Sequence, residues 1–243
     1  MAKRSRQQDV PKPTGEDLAF IPKLRIMIAL PCHDKVDSVF AYDLTQLAIH
    51  STMAFTATGV DIEFGITMVT STYIHEAREQ LMTEAVNGNF SHVLWVDGDM
   101  RFPKTSLLRL LSRKQPIVGA NYSTRTAPPS FVAIKEIYGD RVRTTNKSRG
   151  IERVEALGFG LCLMDLRAFR EKLADLQPLF GFRWLEDRKK WMGEDVFFFL
   201  KMKEIGVDVF VDHDLSKEVA HVGDLEYQTL GVEEWEKLDG SDH

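Results

Sequence analysis

Asp97 and Asp99 stand two residues apart across Gly98, in HVLWVDGDMRFP, at the end of an apolar run. Two carboxylates at that spacing can reach one hard divalent cation, which takes oxygen ligands. Asp-Gly is also a common turn dipeptide, so the pair needs partners elsewhere in the chain before it means a site. A calcium loop starting at Asp97 does not fit. It requires an oxygen ligand at its fifth position, Gly at its sixth and Glu at its twelfth. This sequence has Arg101, Phe102 and Leu108 there.

An aspartate-nucleophile phosphatase also places such a pair after an apolar strand. It wants Thr or Val two residues after the second Asp, where Arg101 stands, and it wants the pair on its first strand. Three further segments carry polar chemistry. In WMGEDVFFFL, Glu194 and Asp195 fall where a helix begins. Acidic residues are favoured there by the helix dipole alone, but a carboxylate held rigidly at that point can also serve as a general base. The dipole is expected to depress its pKa. His221, in KEVAHVG, offers an imidazole suited to Mn²⁺ and so a partner for Asp99. Arg78, in HEAREQLM, is either a solvated helical charge or a phosphate contact.

These residues need a scaffold, and the hydrophobic pattern supplies one. LRIMIAL (24–30) reads as a buried strand stopped by Pro31. Val36, Val39, Phe40, Leu44, Leu47 and Ala48 follow at helical spacing. IEFGITMVT (62–70) is a strand, and YIHEAREQLMTEAVNGN a helix ended by Asn87-Gly88. HVLWV is a strand, KTSLLRLLSR a short helix, PIVGA a strand. This alternation predicts an α/β fold with a mostly parallel central sheet flanked by helices. Beyond residue 120 the segments shorten. SFVAI, IERVEAL and GLCLMDL read as strands that extend or flank the sheet, and RAFREKLADL as a helix. EDVFFFLKMKEIG is a helix ended at Gly206, and VDVFVD a late strand. In such sheets ligands sit beyond the carboxyl ends of the strands, where Asp97 and Asp99 fall.

The 243 residues, 44% hydrophobic, suit one domain with a real core. No apolar run reaches the roughly 18–20 residues of a membrane span. Residues 1–22 are polar and basic without an apolar stretch behind them, so they read as a flexible lead-in rather than a signal peptide. Cys32 and Cys162 do not suggest a disulfide framework, and a cytoplasmic location is expected, the host's cytoplasm if a phage encodes the chain. Net charge is −5, unevenly spread. Residues 101–190 carry 19 Lys and Arg against 9 Asp and Glu. That stretch is either a basic face offsetting acidic neighbours or a surface for an anionic partner. Residues 224–243 form an acidic tail with Trp235 and Leu238, a docked helix or a loose end.

Taken in order, RIMIALPCHD, HEAREQLM, HVLWVDGDMRFP, PIVGANYSTRTAPP, VEALGFGLCLMDLRAF, WMGEDVFFFLKMKEIGVDVFVD and AHVG resemble a glycosyltransferase of the GT-A (Rossmann-like) fold. They look closest to the family 2-like enzymes common in phage and bacterial genomes. The resemblance covers residues 23–223 and implies a metal-dependent enzyme that moves a sugar from a nucleoside-diphosphate sugar, a UDP-sugar for preference, to an acceptor hydroxyl. It implies Mn²⁺ or Mg²⁺ on Asp99 and His221, with Asp97 near the metal or the ribose of the donor. Pro31, His33, Arg78, Gly158, Gly160 and Glu194 fall at positions matching the donor site, and Asp195 at that of the base in inverting members. His33 departs from the aromatic or hydroxyl residue that many members carry there, so base recognition does not carry over.

The chemistry fits. Negative charge grows on the diphosphate as the sugar leaves, and the attacking hydroxyl must lose a proton. For the acceptor, PLFGFRWLEDRKKW (178–191) mixes Phe180, Phe182, Trp184 and Trp191 with Arg183, Arg188, Lys189 and Lys190. It reads as a lid with an apolar underside, or as a grip on a polyanion such as a hydroxymethylated base in phage DNA. A glycan, a lipid-linked sugar and a protein hydroxyl stay open as acceptors. So does an inactive chain that only binds nucleotide or a partner.

Overall fold

A strand with an unbroken apolar run must be covered on both faces, and β1 (Leu24–Cys32), apolar and buried from Ile26 onward, lies inside the sheet for that reason. A computed structural model of the protein describes residues 23–126 and 128–223 and the backbone of 226–228. The lead-in, and the acidic tail apart from that backbone, lie outside the described residues.

After β1 come α1 (Ser38–Thr58), β2 (Ile62–Thr70), α2 (Ile74–Asn87) and β3 (His92–Val96). The Asp37 side chain accepts the Val39 backbone N–H and starts α1, and Gly59, at φ 71°, ends it in a conformation that glycine adopts freely. β1 runs parallel to β2 from Leu24↔Ile62 to Cys32↔Thr70, and to β3 from Ile26↔His92 to Ala29↔Trp95. Pro31 does not stop β1 as expected. The β3 ladder ends at Ala29, so the missing N–H of Pro31 interrupts no pairing on that side.

The second half adds β4 (Met100–Arg101), α3 (Ser106–Ser112), β5 (Ile117–Gly119), β6 (Ile151–Val154), β7 (Leu161–Asp165), β8 (Arg183–Leu185) and β9 (Lys190–Met192). Then follow α4 (Glu194–Glu204), β10 (Val209–Asp212), α5 (His213–Ser216), β11 (Ala220–Val222) and β12 (Glu226–Gln228). The central sheet has seven strands in the order β2-β1-β3-β7-β5-β10-β6. β2, β1, β3, β5 and β10 point one way; β7 and β6 oppose them. The fold is thus α/β with a mostly parallel sheet.

Two expectations change. GLCLMDL does not flank the sheet: β7 is inserted antiparallel between β3 and β5, and Leu161–Met164 is buried throughout. RAFREKLADL is not one helix but three single 3₁₀ turns, Leu166–Ala168, Arg170–Lys172 and Ala174–Leu176. Phe169, at φ −151°, breaks the helical path and so drops its ring into the core. SFVAI contributes isolated bridges at Phe131 and Ile134 rather than a strand.

Alternate residues of each strand feed two cores. Met27, Ala29, Val93 and Trp95 join Phe159, Phe198 and Phe199 on one face. Ile26, Ile28, Leu94 and Val96 join Phe40, Leu47 and Leu107 on the other. Among the described residues no helix is long and apolar enough to cross a membrane. Both cysteines are buried and free.

Candidate active site

The carboxyl ends of β1 and β3 open on a cleft of about 770 Å³. Asp97-Gly98-Asp99 is a tight turn there, with the Met100 N–H donating to the Asp97 carbonyl at 3.2 Å. Gly98 is needed for closeness: a Cβ on it would stand 3.0 Å from Val36 Cγ1. The turn sends its two carboxylates to different partners.

Asp97 Oδ1 accepts from Arg78 Nη2 at 3.0 Å. Arg78 comes from α2, is only 3% exposed, and lies with its guanidinium over the Phe159 ring at 4.7 Å and near Trp95 at 5.7 Å. Its Nε lies 3.5 Å from Glu194 Oε1, at the start of α4, too poorly aligned for a hydrogen bond. Burial works against the Arg78 charge, but Asp97 and Glu194 outweigh it and raise its pKa. Arg78 Nε and Nη1 are buried with no hydrogen-bond partner. Such orphaned donors cost free energy unless a ligand satisfies them.

Asp99 is held by another device. β4 leaves the turn and pairs antiparallel with β11, Met100 opposite His221, and the Val222 N–H donates to the Asp99 carbonyl at 2.7 Å. That ladder carries His221 to within 3.3 Å (Nε2 to Oδ1) of Asp99. His221 Nδ1 donates to the Ser123 carbonyl at 3.1 Å, and a carbonyl can only accept, so Nδ1 carries the proton and Nε2 turns to Asp99. A bond from the far ring nitrogen to a carbonyl is the usual way a metal-binding imidazole is oriented. Asp99 Oδ1 is buried without a hydrogen bond, while Oδ2 meets Arg125 Nη1 at 3.0 Å. Burial opposes the Asp99 charge, yet His221, where its Nε2 also carries a proton that a metal ion would replace, and Arg125 hold its pKa below the ordinary value.

These two donors fit a divalent ion. Adjacent ligands of an octahedral ion lie about 3 Å apart at bond lengths of about 2.1 Å. Among the described residues no third His, Cys, Asp or Glu completes a metal cluster, so the remaining positions would fall to water or a substrate oxygen.

Glu194 and Asp195 are neighbours on α4 and diverge. Glu194 lines the large cleft, whereas Asp195 lines a second cavity of about 280 Å³. The expected lowering of the Asp195 pKa by the helix dipole is reversed. Burial, then repulsion from Glu194, pushes it up to about 6, against one bond accepted from its neighbour's N–H, Val196, at 2.7 Å. Burial is the largest cause of the shift, and Arg141, which lines the same cavity, works against it.

Of the residues singled out from sequence, Pro31, His33, Arg78, Asp97, Asp99, Glu194 and His221 share the large cleft. His33 is at its exposed rim, its ring 3.8 Å from the Asp34 carboxylate. Gly158 and Gly160 do not line it. A Cβ on Gly158 would stand 2.2 Å from Tyr122 Oη, and one on Gly160 2.7 Å from it. Tyr122 Oη accepts the Gly160 N–H at 2.9 Å, so these glycines admit the tyrosine beneath the site. Two participants escaped the sequence reading, Arg125 and Tyr122, and Phe159, read there with its flanking glycines as a turn lining the sugar, instead lies under the Arg78 guanidinium. Arg125 alone left a signal, in STRTAPP, where a basic residue sits among small turn formers.

No protein-family model matches the chain, and no curated protein matches it in sequence. Solved structures do. A197 from STIV superposes with a TM-score of 0.53 at 18% identity, over 83% of this chain and 86% of that one. A Drosophila β-1,4-galactosyltransferase 7 mutant, in complex with manganese, UDP-Gal and xylobiose, matches with a TM-score of 0.40 and 14% identity over 84% and 72%. A nucleoside-diphosphate-sugar pyrophosphorylase from Vibrio cholerae matches with 0.40 and 11% over 82% and 96%. At these identities the likeness speaks to the fold, and it rests on A197.

Proposed function

We propose that the protein is a metal-dependent glycosyltransferase of GT-A type that uses a nucleoside-diphosphate sugar. One observation carries the reading: a single cleft holds a buried Asp99 oxygen facing an oriented His221 nitrogen, beside an Arg78 whose Nη2 is held by Asp97 while its buried Nε and Nη1 lack a hydrogen-bond partner. The first pair suits a divalent cation and the second an anion, and a diphosphate bound with Mn²⁺ or Mg²⁺ supplies both.

In this reading Asp99 and His221 hold the cation, which when bound neutralises the charge growing on the leaving diphosphate. Arg78 donates to donor oxygens while Asp97 and Glu194 keep its guanidinium in place. Pro31 and His33 border the nucleotide. Asp195 takes the proton of the acceptor hydroxyl from the second cavity. The acceptor oxygen bonds to the anomeric carbon as the bond from that carbon to the diphosphate breaks, and the diphosphate leaves with the electron pair. Attack from the face opposite the leaving group inverts the anomeric centre.

The test is donor cleavage without acceptor. UDP-sugars incubated with the protein and Mn²⁺ should release UDP slowly, and the release should stop on addition of chelator and in Asp99→Asn. Release that persists under both conditions contradicts the metal role.

A further inference from the structure

The cavity at Asp195 has a charge that its catalytic task does not require. Arg141, Arg188 and Lys190 line it against one carboxylate, Asp195. Neither Arg141 nor Lys190 has an ion pair among the described residues. Arg141 donates only to the Val132 carbonyl, at 3.0 Å. Arg188 donates to the Tyr138 carbonyl at 3.0 Å and lies over the Tyr138 ring at 4.6 Å, with the exposed Asp187 no nearer than 3.6 Å. Three cations thus face the cavity: Arg188 also pairs with the exposed Asp187, Arg141 acts on Asp195 itself, and Lys190 has no ion pair among the described residues. A base that must accept a proton gains nothing from them, since a nearby cation lowers its basicity.

The wall above them is aromatic. Trp191 lines the cavity and is 65% exposed, and it meets Trp184 across the β8–β9 hairpin at 5.5 Å between ring centres. Large exposed rings beside cations are suited to a ligand that is both flat and anionic. A neutral sugar would use the rings and leave the cations unmatched.

We propose that this cavity is the acceptor site and that the acceptor carries a phosphate ester close to its accepting hydroxyl. The phosphate lies among Arg141, Arg188 and Lys190, a ring of the acceptor lies on Trp191, and the hydroxyl faces Asp195. This rests on the transferase reading for the word acceptor; the phosphate recognition itself does not. The chemistry has two sources, a small phosphorylated sugar or a nucleic-acid strand, and the 280 Å³ of the cavity admits about one ring of either.

Binding is measured at low salt, without donor or metal, by isothermal titration calorimetry. The probes are ribose 5-phosphate, ribose, and a short single-stranded oligodeoxynucleotide. The protein should bind ribose 5-phosphate or the oligonucleotide and not ribose, and Lys190→Glu should weaken that binding about tenfold or more, as should Trp191→Ala. Both side chains are exposed, so an unchanged thermal midpoint shows that the variants remain folded. Preference for the strand over the small ester identifies a nucleic-acid source, and the reverse a small phosphorylated sugar. Ribose binding equal to that of its phosphate, or phosphate binding indifferent to Lys190→Glu, overturns the proposal. Failure of Mn²⁺-dependent UDP release from UDP-sugars, with phosphate binding intact, removes the transferase reading and leaves the anion site standing.

Discussion

At the scale of single residues, the site is governed by which charges are buried with partners and which without. Asp195 is the clearest case. Its pKa of about 6 makes it a far better proton acceptor than an ordinary aspartate while leaving it mostly ionised at neutral pH. If Asp195 is the base, transferase activity should rise with pH through about 6, and Asp195→Asn should lower kcat by about 10²–10⁴-fold. Stability should move the other way. The folded state holds the proton more tightly than the unfolded one, so burial of the ionised group costs nothing below pH 4 and its full penalty above pH 6. Asp195→Asn is therefore expected to raise stability at pH 7 by on the order of 1–2 kcal/mol and to leave it unchanged near pH 3.5, as read by denaturant titration at both values. Arg78 shows the converse. It lies between Asp97 and Glu194, so Arg78→Met leaves two partly buried carboxylates without a cation and should cost about 3–5 kcal/mol. Arg78→Lys should recover only part, because one ammonium cannot reach both carboxylates while lying flat on Phe159.

At the scale of elements, the turn after β3 works because other segments were shaped around it. Gly158 and Gly160 precede β7 and exist to let Tyr122 reach under the site. Gly158→Ala drives a methyl into the Tyr122 hydroxyl and should destabilise the protein by about 1–3 kcal/mol. Tyr122→Phe in the same chain should recover part of that loss, which a double-mutant cycle in denaturant measures. The strongly periodic elements were legible in sequence: β2 and β3 fall on IEFGITMVT and HVLWV, and α4 ends as expected before Gly206, at φ 73°. What was not legible depended on distant pairing. Nothing local in GLCLMDL says that it enters the middle of the sheet, because a short apolar run reads alike at the centre and at the flank. RAFREKLADL has helical composition, but burial of Phe169 and Leu173 decides its path. The same limit applies to the site. Asp97, Asp99 and Glu194 stand out by type and spacing. The meeting of Asp99 with His221 depends on the β4–β11 ladder, and the upward pKa shift of Asp195 on a burial that only the folded chain creates.

At the scale of the whole molecule, the candidate residues fall at two openings that share the first turn of α4. Glu194 belongs to the cleft at the ends of β1 and β3, and Asp195 to the cavity beside the β8–β9 hairpin. One helix start thus carries Glu194 into the cleft of Asp99, His221 and Arg78 and Asp195 into the other cavity, which is the arrangement the proposed transfer between two substrates needs. The most direct measurement is the thermal midpoint of the protein with UDP, with Mn²⁺, and with both together, in the natural sequence and in Asp99→Asn and His221→Ala. A ligand that binds only the folded state at a hundredfold excess over its Kd stabilises it by about 2.7 kcal/mol. The midpoint is expected to rise by about 5–10 °C in the natural sequence only when UDP and Mn²⁺ are both present, and to stay put in both variants. An equal rise in the variants, or a full rise with UDP and chelator, contradicts a metal-bound diphosphate at Asp99 and His221.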